Sequence, residues 1–327
     1  MPSNAVEIGL WGANGSGKTL FLANLARAAD HLPRRLGVWR VTPDEDTQRW
    51  IELRSEELRQ GILPGHTQAQ AQLTKLRFQL ELLEPPAVER RRTRADDVVE
   101  DAEISANLEV PDPYGEIFRE HVSEPVVAEL RDHFVRSQAI VYLFDPARES
   151  AARARVRPQA PEGLSPNLAY LDSFLEMMRK SPALELERGR LTHGLAVCVT
   201  KFDDPEVFRA AVTGRWVTQD DTAPFDPRIP DELAQRYFQE LCAGGADSDA
   251  VASQLYKNFG EDRVRYFATS SLGFVADDRA RVSAVSKNAD GAIEWVSNQG
   301  RPINVLEPIV HLVYRAKDRM HRWIDDV

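Results

Sequence analysis

The chain has 327 residues, of which 43% are hydrophobic and 28% are charged, with two cysteines and a formal net charge of −10. This composition excludes a disordered chain, a membrane-embedded chain and a disulfide framework, and the acidic balance argues against a protein that coats nucleic acid. Because the N-terminus lacks a signal-peptide pattern and no apolar run reaches about 18 residues, we expect a cytoplasmic protein without integral membrane association.

The first predicted unit is a strand, a glycine-rich loop and a helix. Residues 6–10 form the apolar strand, residues 20–26 begin the helix, and residues 12–19 match the pattern G-x-x-x-x-G-K-S/T. In this pattern the backbone N–H groups and the helix start bind phosphate, the lysine reaches the β- and γ-phosphates, and the hydroxyl residue binds Mg²⁺. The predicted phosphate-binding residues are Gly12, Asn14, Gly15, Ser16, Gly17, Lys18 and Thr19, and Thr19 is also the predicted magnesium ligand.

The next region predicts a second helix and then a hairpin. Thr42, followed by a proline, is the expected N-cap of this helix, and Gly61 ends it. Residues 75–82 and 104–110 alternate apolar and polar side chains, which predicts two half-buried strands paired antiparallel. The charged segment 85–101 between them is expected to be a solvated hairpin tip, with a partner-docking handle as the alternative.

Three later apolar runs lack strict alternation, as strands covered on both faces of a parallel sheet do: residues 139–144, 195–199 and 264–268. Helices are expected around residues 171–180, 230–243 and 250–259. An apolar stripe in residues 303–324 predicts a final helix that packs on the core, with a membrane or partner helix as the alternative.

Alternating strands and helices predict a doubly wound α/β fold with a mostly parallel sheet and one antiparallel hairpin strand. We expect one domain over residues 1–327. Its predicted surface insertions lie at about 85–101, 146–166, 213–230 and 273–301.

Three further motifs follow directly on predicted strands. Residues 112–115 fit D-x-x-G, residues 200–203 fit N/T-K-x-D, and residues 269–271 are a run of small hydroxyl side chains. With the glycine-rich loop, all of them lie at carboxyl ends of strands, where ligands bind in such sheets. Only seven of the 41 basic residues are lysines, yet Lys18 and Lys201 both fall where a compact ammonium group suits the chemistry better than a planar guanidinium.

With these motifs in this order, the sequence resembles the small-GTPase-type domains of the translation-factor-related P-loop GTPases. More loosely, the predicted helix that ends at Gly61, the loop 61–67 and the large insertions resemble those of bacterial double-GTPase-type proteins of conflict systems. The resemblance implies a G-domain fold that binds GTP or GDP with Mg²⁺ and has a protein effector or an activating protein as partner, but no nucleic acid.

On the phosphate side, the resemblance implies that Lys18 contacts the β- and γ-phosphates and that Thr67 and Asp112 join Thr19 at Mg²⁺. The Gly115 N–H would contact the γ-phosphate in the triphosphate state. Loss of these contacts after hydrolysis is the order-to-disorder switch of such proteins.

On the base side, the resemblance implies that Asp203 accepts hydrogen bonds from guanine N1 and N2, while Lys201 lies along the ring. Ser270 would offer its backbone N–H to guanine O6. The remaining residues of these two loops, counted as nucleotide-binding, are Thr200, Thr269 and Ser271. Adenine lacks the donor pair that Asp203 would accept, so one carboxylate can discriminate strongly.

The residue expected to orient water departs from the family pattern. Well-known members have a glutamine after the D-x-x-G glycine, whereas this chain has Glu116, whose negative charge beside the γ-phosphate predicts slow intrinsic hydrolysis. His66, Gln68 or a group supplied by a partner are alternatives. Two hypotheses therefore stand: a slowly hydrolysing GTP switch that recruits a protein partner, and a non-hydrolysing GTP-binding scaffold.

A P-loop ATPase is the third hypothesis. Asp145, at the end of its predicted strand, could serve as the metal-binding carboxylate of such an enzyme. In that interpretation Lys201 and Asp203 lose their purpose, and no catalytic glutamate follows because residue 146 is proline. We favour Asp145 as a strand-end residue that caps the next loop.

Overall fold

The structure, a computed structural model, describes residues 6–62, 74–86, 104–112, 124–146, 166–219, 226–243, 248–276, 281–283, 285–287, 293–296 and 300–317. Its strands are β1 (Val6–Gly12), β2 (Val38–Pro43), β3 (Thr74–Glu84), β4 (Ser105–Asp112), β5 (Ala139–Phe144), β6 (Leu186–Glu187), β7 (Arg190–Leu191), β8 (Gly194–Val199), β9 (Thr218–Gln219), β10 (Pro227–Arg228), β11 (Val264–Ala268), β12 (Phe274–Ala276), β13 (Arg281–Ser283), β14 (Val285–Lys287) and β15 (Ile293–Val296). Its α-helices are α1 (Lys18–Ala23), α2 (Leu25–Ala29), α3 (Glu45–Arg59), α4 (Glu124–Arg136), α5 (Pro166–Arg179), α6 (Pro205–Thr213), α7 (Asp231–Cys242), α8 (Ser248–Asn258) and α9 (Glu307–Ala316).

In the described part of the chain, seven strands form one sheet in the order β11-β8-β5-β1-β4-β3-β2. Strand β3 pairs antiparallel with both β2 and β4, and the other pairs in this sheet are parallel. The predicted mostly parallel α/β sheet with one antiparallel hairpin strand is therefore confirmed.

The central strands are covered on both faces. In β5, for example, Ile140 and Tyr142 belong to one apolar core, while Val141 and Leu143 belong to the other. The first core includes Phe174 of α5 and residues of α4, α7 and α8, and the second includes residues of α1, α2 and α9. Because successive side chains of a strand point to opposite faces, burial on both faces explains why these runs are continuously apolar.

The start of the second predicted helix was placed too early. Thr42 is in strand β2, and the helix N-cap is Asp44, whose carboxylate accepts a hydrogen bond from the Thr47 N–H at 2.8 Å. Strand β2 forms because it pairs with β3 at the edge of the sheet and because Trp39 is buried edge-on against Tyr314. This tertiary pairing prevails over the local capping pattern.

The final predicted helix is shorter than its apolar stripe within the described residues. Helix α9 begins at Glu307, and Ile309, Leu312 and Val313 on its inner face are fully buried in the second core. None of the helices in the described part of the chain has the length and apolar character needed to cross a membrane.

The predicted insertions are described only in part. Residues 87–100 and 147–165 lie outside the described residues, so the hairpin-tip prediction stays a prediction. Described residues of the later insertions form the two-stranded pairs β9–β10, β12–β13 and β14–β15. The assignment of residues 1–327 to one domain also stays a prediction.

Candidate functional site

The described motif residues lie at one edge of the sheet. The glycine-rich loop follows β1, residues 200–203 follow β8, and residues 269–271 follow β11, and these strands run parallel through β5. Their carboxyl ends therefore meet at the same edge, where open α/β sheets bind ligands. Several predicted positions lie outside the described residues: Thr67, Gly115, Glu116, His66, Gln68 and the side chain of Asp112, whose backbone ends β4.

The glycine-rich loop needs its glycines for geometric reasons. Gly15 and Gly17 have φ angles of +74° and +93°, in the left-handed region that L-residues rarely adopt. A Cβ at Gly12 would lie 2.6 Å from the Ser16 hydroxyl and 2.9 Å from the Leu143 carbonyl oxygen. The loop can therefore turn tightly between β1 and α1.

Lys18 lies over this loop and is 8% exposed. Its ammonium group donates to the carbonyl oxygens of Gly12 at 2.8 Å and Ala13 at 3.1 Å. Within the described residues, the buried Ser16 hydroxyl has no hydrogen-bond partner, and the partly buried Thr19 lies at the start of α1. A cation, a helix start and a free hydroxyl thus surround a tight backbone loop, which fits a phosphate with a bound Mg²⁺.

Lys201 forms an ion pair at the opposite side of the site. Its ammonium group donates to Asp145 Oδ2 at 2.7 Å, and the Asp145 side chain is fully buried while that of Lys201 is 37% exposed. The Asn167 amide donates to the Asp145 carbonyl at 3.0 Å, which ties the end of β5 to α5. Neither sequence interpretation of Asp145 foresaw that its carboxylate holds Lys201.

Asp203 and Ser270 form a buried polar link between the two base-side loops. The Ser270 hydroxyl donates to Asp203 Oδ1 and accepts the Gly273 N–H at 2.7 Å. The Ser270 N–H, which the family resemblance assigned to guanine O6, instead donates to the Ile303 carbonyl at 3.0 Å. The next N–H of the loop, that of Ser271, has no acceptor within the described residues.

Thr200 and Thr269 hold the loops in place. The Thr200 hydroxyl donates to the Phe144 carbonyl at 3.0 Å, and the Thr269 hydroxyl donates to the Val199 carbonyl at 3.3 Å. Both threonines are buried, at 6% and 1% exposed. These two predicted binding residues therefore join the ends of neighbouring strands through their side chains.

The sequence motifs missed the segment that supports the loop after β11. The Asn304 amide donates to the Ala268 carbonyl at 2.9 Å, and a Cβ at Gly273 would lie 1.8 Å from the Arg301 carbonyl oxygen. The two stretches of main chain thus pack directly on one another. Gly273 could have indicated a close backbone approach, but no local pattern identifies residues 300–304 as its partner.

Charged side chains lie at both the phosphate loop and the base-side loops of the site. The ammonium group of Lys18 lies at the phosphate loop, and the carboxylate of Asp203 lies at the base-side loops with Lys201 two residues before it. Hydrogen-bond acceptors at one end and a cation at the other complement a ligand with N–H donors and a phosphate chain.

Comparison with known proteins gives similarity at low sequence identity. No protein-family model and no curated protein matches the chain. The chain is similar to the structure of the Arl6 (BBS3) small GTPase from Trypanosoma brucei with a bound nucleotide analogue, at 11% identity over 97% of this chain and 99% of that chain, with a TM-score of 0.37.

Two further solved structures show the same level of similarity. The signal recognition particle receptor SRb-GTP/SRX complex from Chaetomium thermophilum has 12% identity over 85% of this chain and 94% of that chain, with a TM-score of 0.36. The S. cerevisiae Ski7 GTPase-like domain bound to GDP and inorganic phosphate has 10% identity over 96% and 50%, with a TM-score of 0.42. Because these TM-scores are low, the functional assignment rests on the loops themselves.

Proposed function

We propose that this chain is a cytoplasmic GTP-binding protein that hydrolyses GTP slowly to GDP and phosphate and acts as a nucleotide-dependent switch that recruits a protein partner. One observation carries the guanine assignment: a P-loop with Lys18 shares its sheet edge with the buried Asp203–Ser270 link. We also keep, as a proposal, the looser resemblance to bacterial double-GTPase-type proteins, which rests on α3, the loop after it and the large insertions.

Guanine selectivity is assigned to the carboxylate of Asp203, which is acceptor-only when ionised and lies beside the base-side loop through its contact with the Ser270 hydroxyl. A carboxylate matches the paired donors of guanine N1–H and the 2-amino group. Since the Ser270 N–H is engaged with Ile303, we assign the O6 contact to the Ser271 N–H. Adenine offers no matching donor pair to Asp203.

Magnesium binding is proposed at Thr19, which directly follows Lys18 at the start of α1 and is partly buried. Thr67 and Asp112 are the proposed additional ligands. When bound, the ion neutralises charge on the phosphate oxygens. Thr19 and Lys18 hold and orient the phosphate chain.

The ATPase alternative is weakened by the partner of Asp145. Its carboxylate is neutralised by Lys201, a base-side residue, at 2.7 Å. A metal-binding carboxylate of an ATPase has to present its charge to Mg²⁺ beside the phosphates instead.

Nucleotide binding by the purified chain tests the guanine assignment. We expect GDP to bind at least about 100-fold more tightly than ADP, and Asp203→Asn to remove most of this preference because the amide NH2 group places a donor opposite one of the two guanine donors. Asp204→Asn is the matched control, since Asp204 caps α6 by accepting the Glu206 N–H and asparagine caps equally well. Equal affinity for GDP and ADP in the unmodified chain contradicts the proposal.

Phosphate release separates the switch from the scaffold. We expect slow release from GTP that speeds up in Glu116→Gln, because the substitution removes negative charge beside the γ-phosphate. Tight GTP binding with no phosphate release from either protein supports the scaffold.

Partner recruitment is proposed through residues 61–67 and 112–122. The partner should bind in the presence of a non-hydrolysable GTP analogue and not in the presence of GDP.

A further inference from the structure

Helix α3 buries one leucine away from both large apolar cores. Leu58, in its last turn, is 4% exposed, whereas Leu53 on the same helix is 53% exposed. The surface of the helix carries its own ion pairs, such as Arg54 with Glu57 at 2.8 Å. Leu58 is therefore buried by a contact outside the helix.

The contact is made by the base-side loop. Leu58 packs on Leu272, which is 3% exposed and directly follows Ser271. The Leu58 cluster consists of Leu20, Leu58, Leu272 and Val275. Leu20 directly follows Thr19, so this cluster joins the start of α1, the end of α3 and the loop after β11.

The loop carrying Ser271 is thus held from two sides. On one side it is fixed by main-chain contacts: Ser270 and Ile303 exchange hydrogen bonds at 3.0 and 2.8 Å, and Gly273 packs on the Arg301 backbone. On the other side it is held by the packing of Leu58 against Leu272. Packing contacts depend on side-chain volume, so a shorter side chain at position 58 lets this side of the loop move.

We propose that Leu58 is a positioning residue for the guanine base. By filling the space beside Leu272, it keeps the Ser271 N–H and the Asp203–Ser270 link at a fixed position relative to the phosphate loop. The proposal rests on the proposed guanine-nucleotide function. It assigns helix α3 a role in setting how long a nucleotide stays bound.

The test measures dissociation of a fluorescent GDP from the purified chain of residues 1–327 and the ratio of GDP to ADP affinity. We expect Leu58→Ala to speed GDP dissociation by about tenfold and to lower the GDP-to-ADP ratio by a similar factor, with Leu272→Ala acting in the same way. Leu53→Ala is the matched control, because it makes the same truncation on the exposed face of α3. Leu58→Met, which conserves volume, should restore slow dissociation.

The outcomes are distinct. If Leu58→Ala lowers the melting temperature of the free and GDP-bound protein equally and leaves dissociation unchanged, Leu58 is merely structural and the proposal is overturned. If Leu58→Ala does not fold, melting temperature and GDP dissociation are measured instead on Leu272→Ala and on the milder Leu58→Val, and the same comparison decides between the two roles. If the unmodified chain binds no guanine nucleotide, the proposed function itself fails, which is a separate result.

Discussion

The ion pair between Lys201 and Asp145 leads to a prediction at the scale of single residues. Asp145→Asn removes the charge that holds the Lys201 ammonium at 2.7 Å, while Lys201 is exposed enough to stay solvated. A hydrogen bond to a charged group contributes about 1.5–3 kcal/mol. We therefore expect the affinity for GDP and for GTP to fall by at least about tenfold, with or without Mg²⁺, in a fluorescence titration.

The magnesium dependence of that loss distinguishes two roles for Asp145. Had it been a metal ligand, the substitution would weaken only the binding of GTP with Mg²⁺. Asp204→Asn again serves as control, since it changes a neighbouring buried aspartate and keeps its helix cap. An equal loss of affinity in both variants would argue that the region is merely destabilised.

Single residues also show how far the sequence can be interpreted. The tight backbone turn at Gly15 and Gly17 was predictable, because the glycine-rich pattern imposes local spacing and backbone conformations, while phosphate binding by Lys18 stays a prediction. Asp145 as the partner of Lys201 and Ile303 as the partner of Ser270 were not, because these contacts depend on which strands lie side by side. A pattern of neighbouring residues carries no information on residues 33 or 56 positions away.

Helix α3 supports a prediction at the scale of elements. Its N-cap, Asp44, accepts the Thr47 N–H at 2.8 Å, and the Thr47 hydroxyl accepts the Arg77 N–H of β3 at 2.8 Å. Asp44→Ala leaves that first turn uncapped, which should lower the free energy of unfolding by about 1 kcal/mol in urea titrations. Asp46→Ala, in the same turn but with an 87% exposed side chain, should cost less than about 0.5 kcal/mol.

The comparison of these variants identifies the cap. Equal losses for Asp44→Ala and Asp46→Ala would show that only the charge near the helix start matters.

Most strands and helices agree with the sequence patterns that predicted them. The apolar runs at 139–144 and 264–268, for example, are strands with the predicted bounds. Strand β2 was missed because its burial comes from Trp39 on Tyr314 and from pairing with β3, both remote in sequence.

At the scale of the whole molecule, the sheet separates two apolar cores, and several titratable side chains are at least partly withdrawn from water. Burial lowers the pKa of His133 to about 4, although Glu109 nearby opposes the shift. Burial also lowers the pKa of His311 to about 3. Glu307 acts in the opposite sense, since burial raises its pKa to about 7. The pH dependence of stability is therefore a sum over groups of both signs.

Replacing His133 measures how much this one side chain contributes to the pH dependence of stability. Between pH 6.5 and pH 4 the unfolded chain takes up a proton that the folded chain resists, so this histidine makes the protein less stable as the pH falls. His133→Phe should shrink the difference in unfolding free energy between pH 7 and pH 4.5 by about 2 kcal/mol in urea titrations at both values. His31→Phe, at an exposed position, should change it much less. An unchanged difference in His133→Phe would mean that the folded chain protonates this ring as readily as the unfolded one.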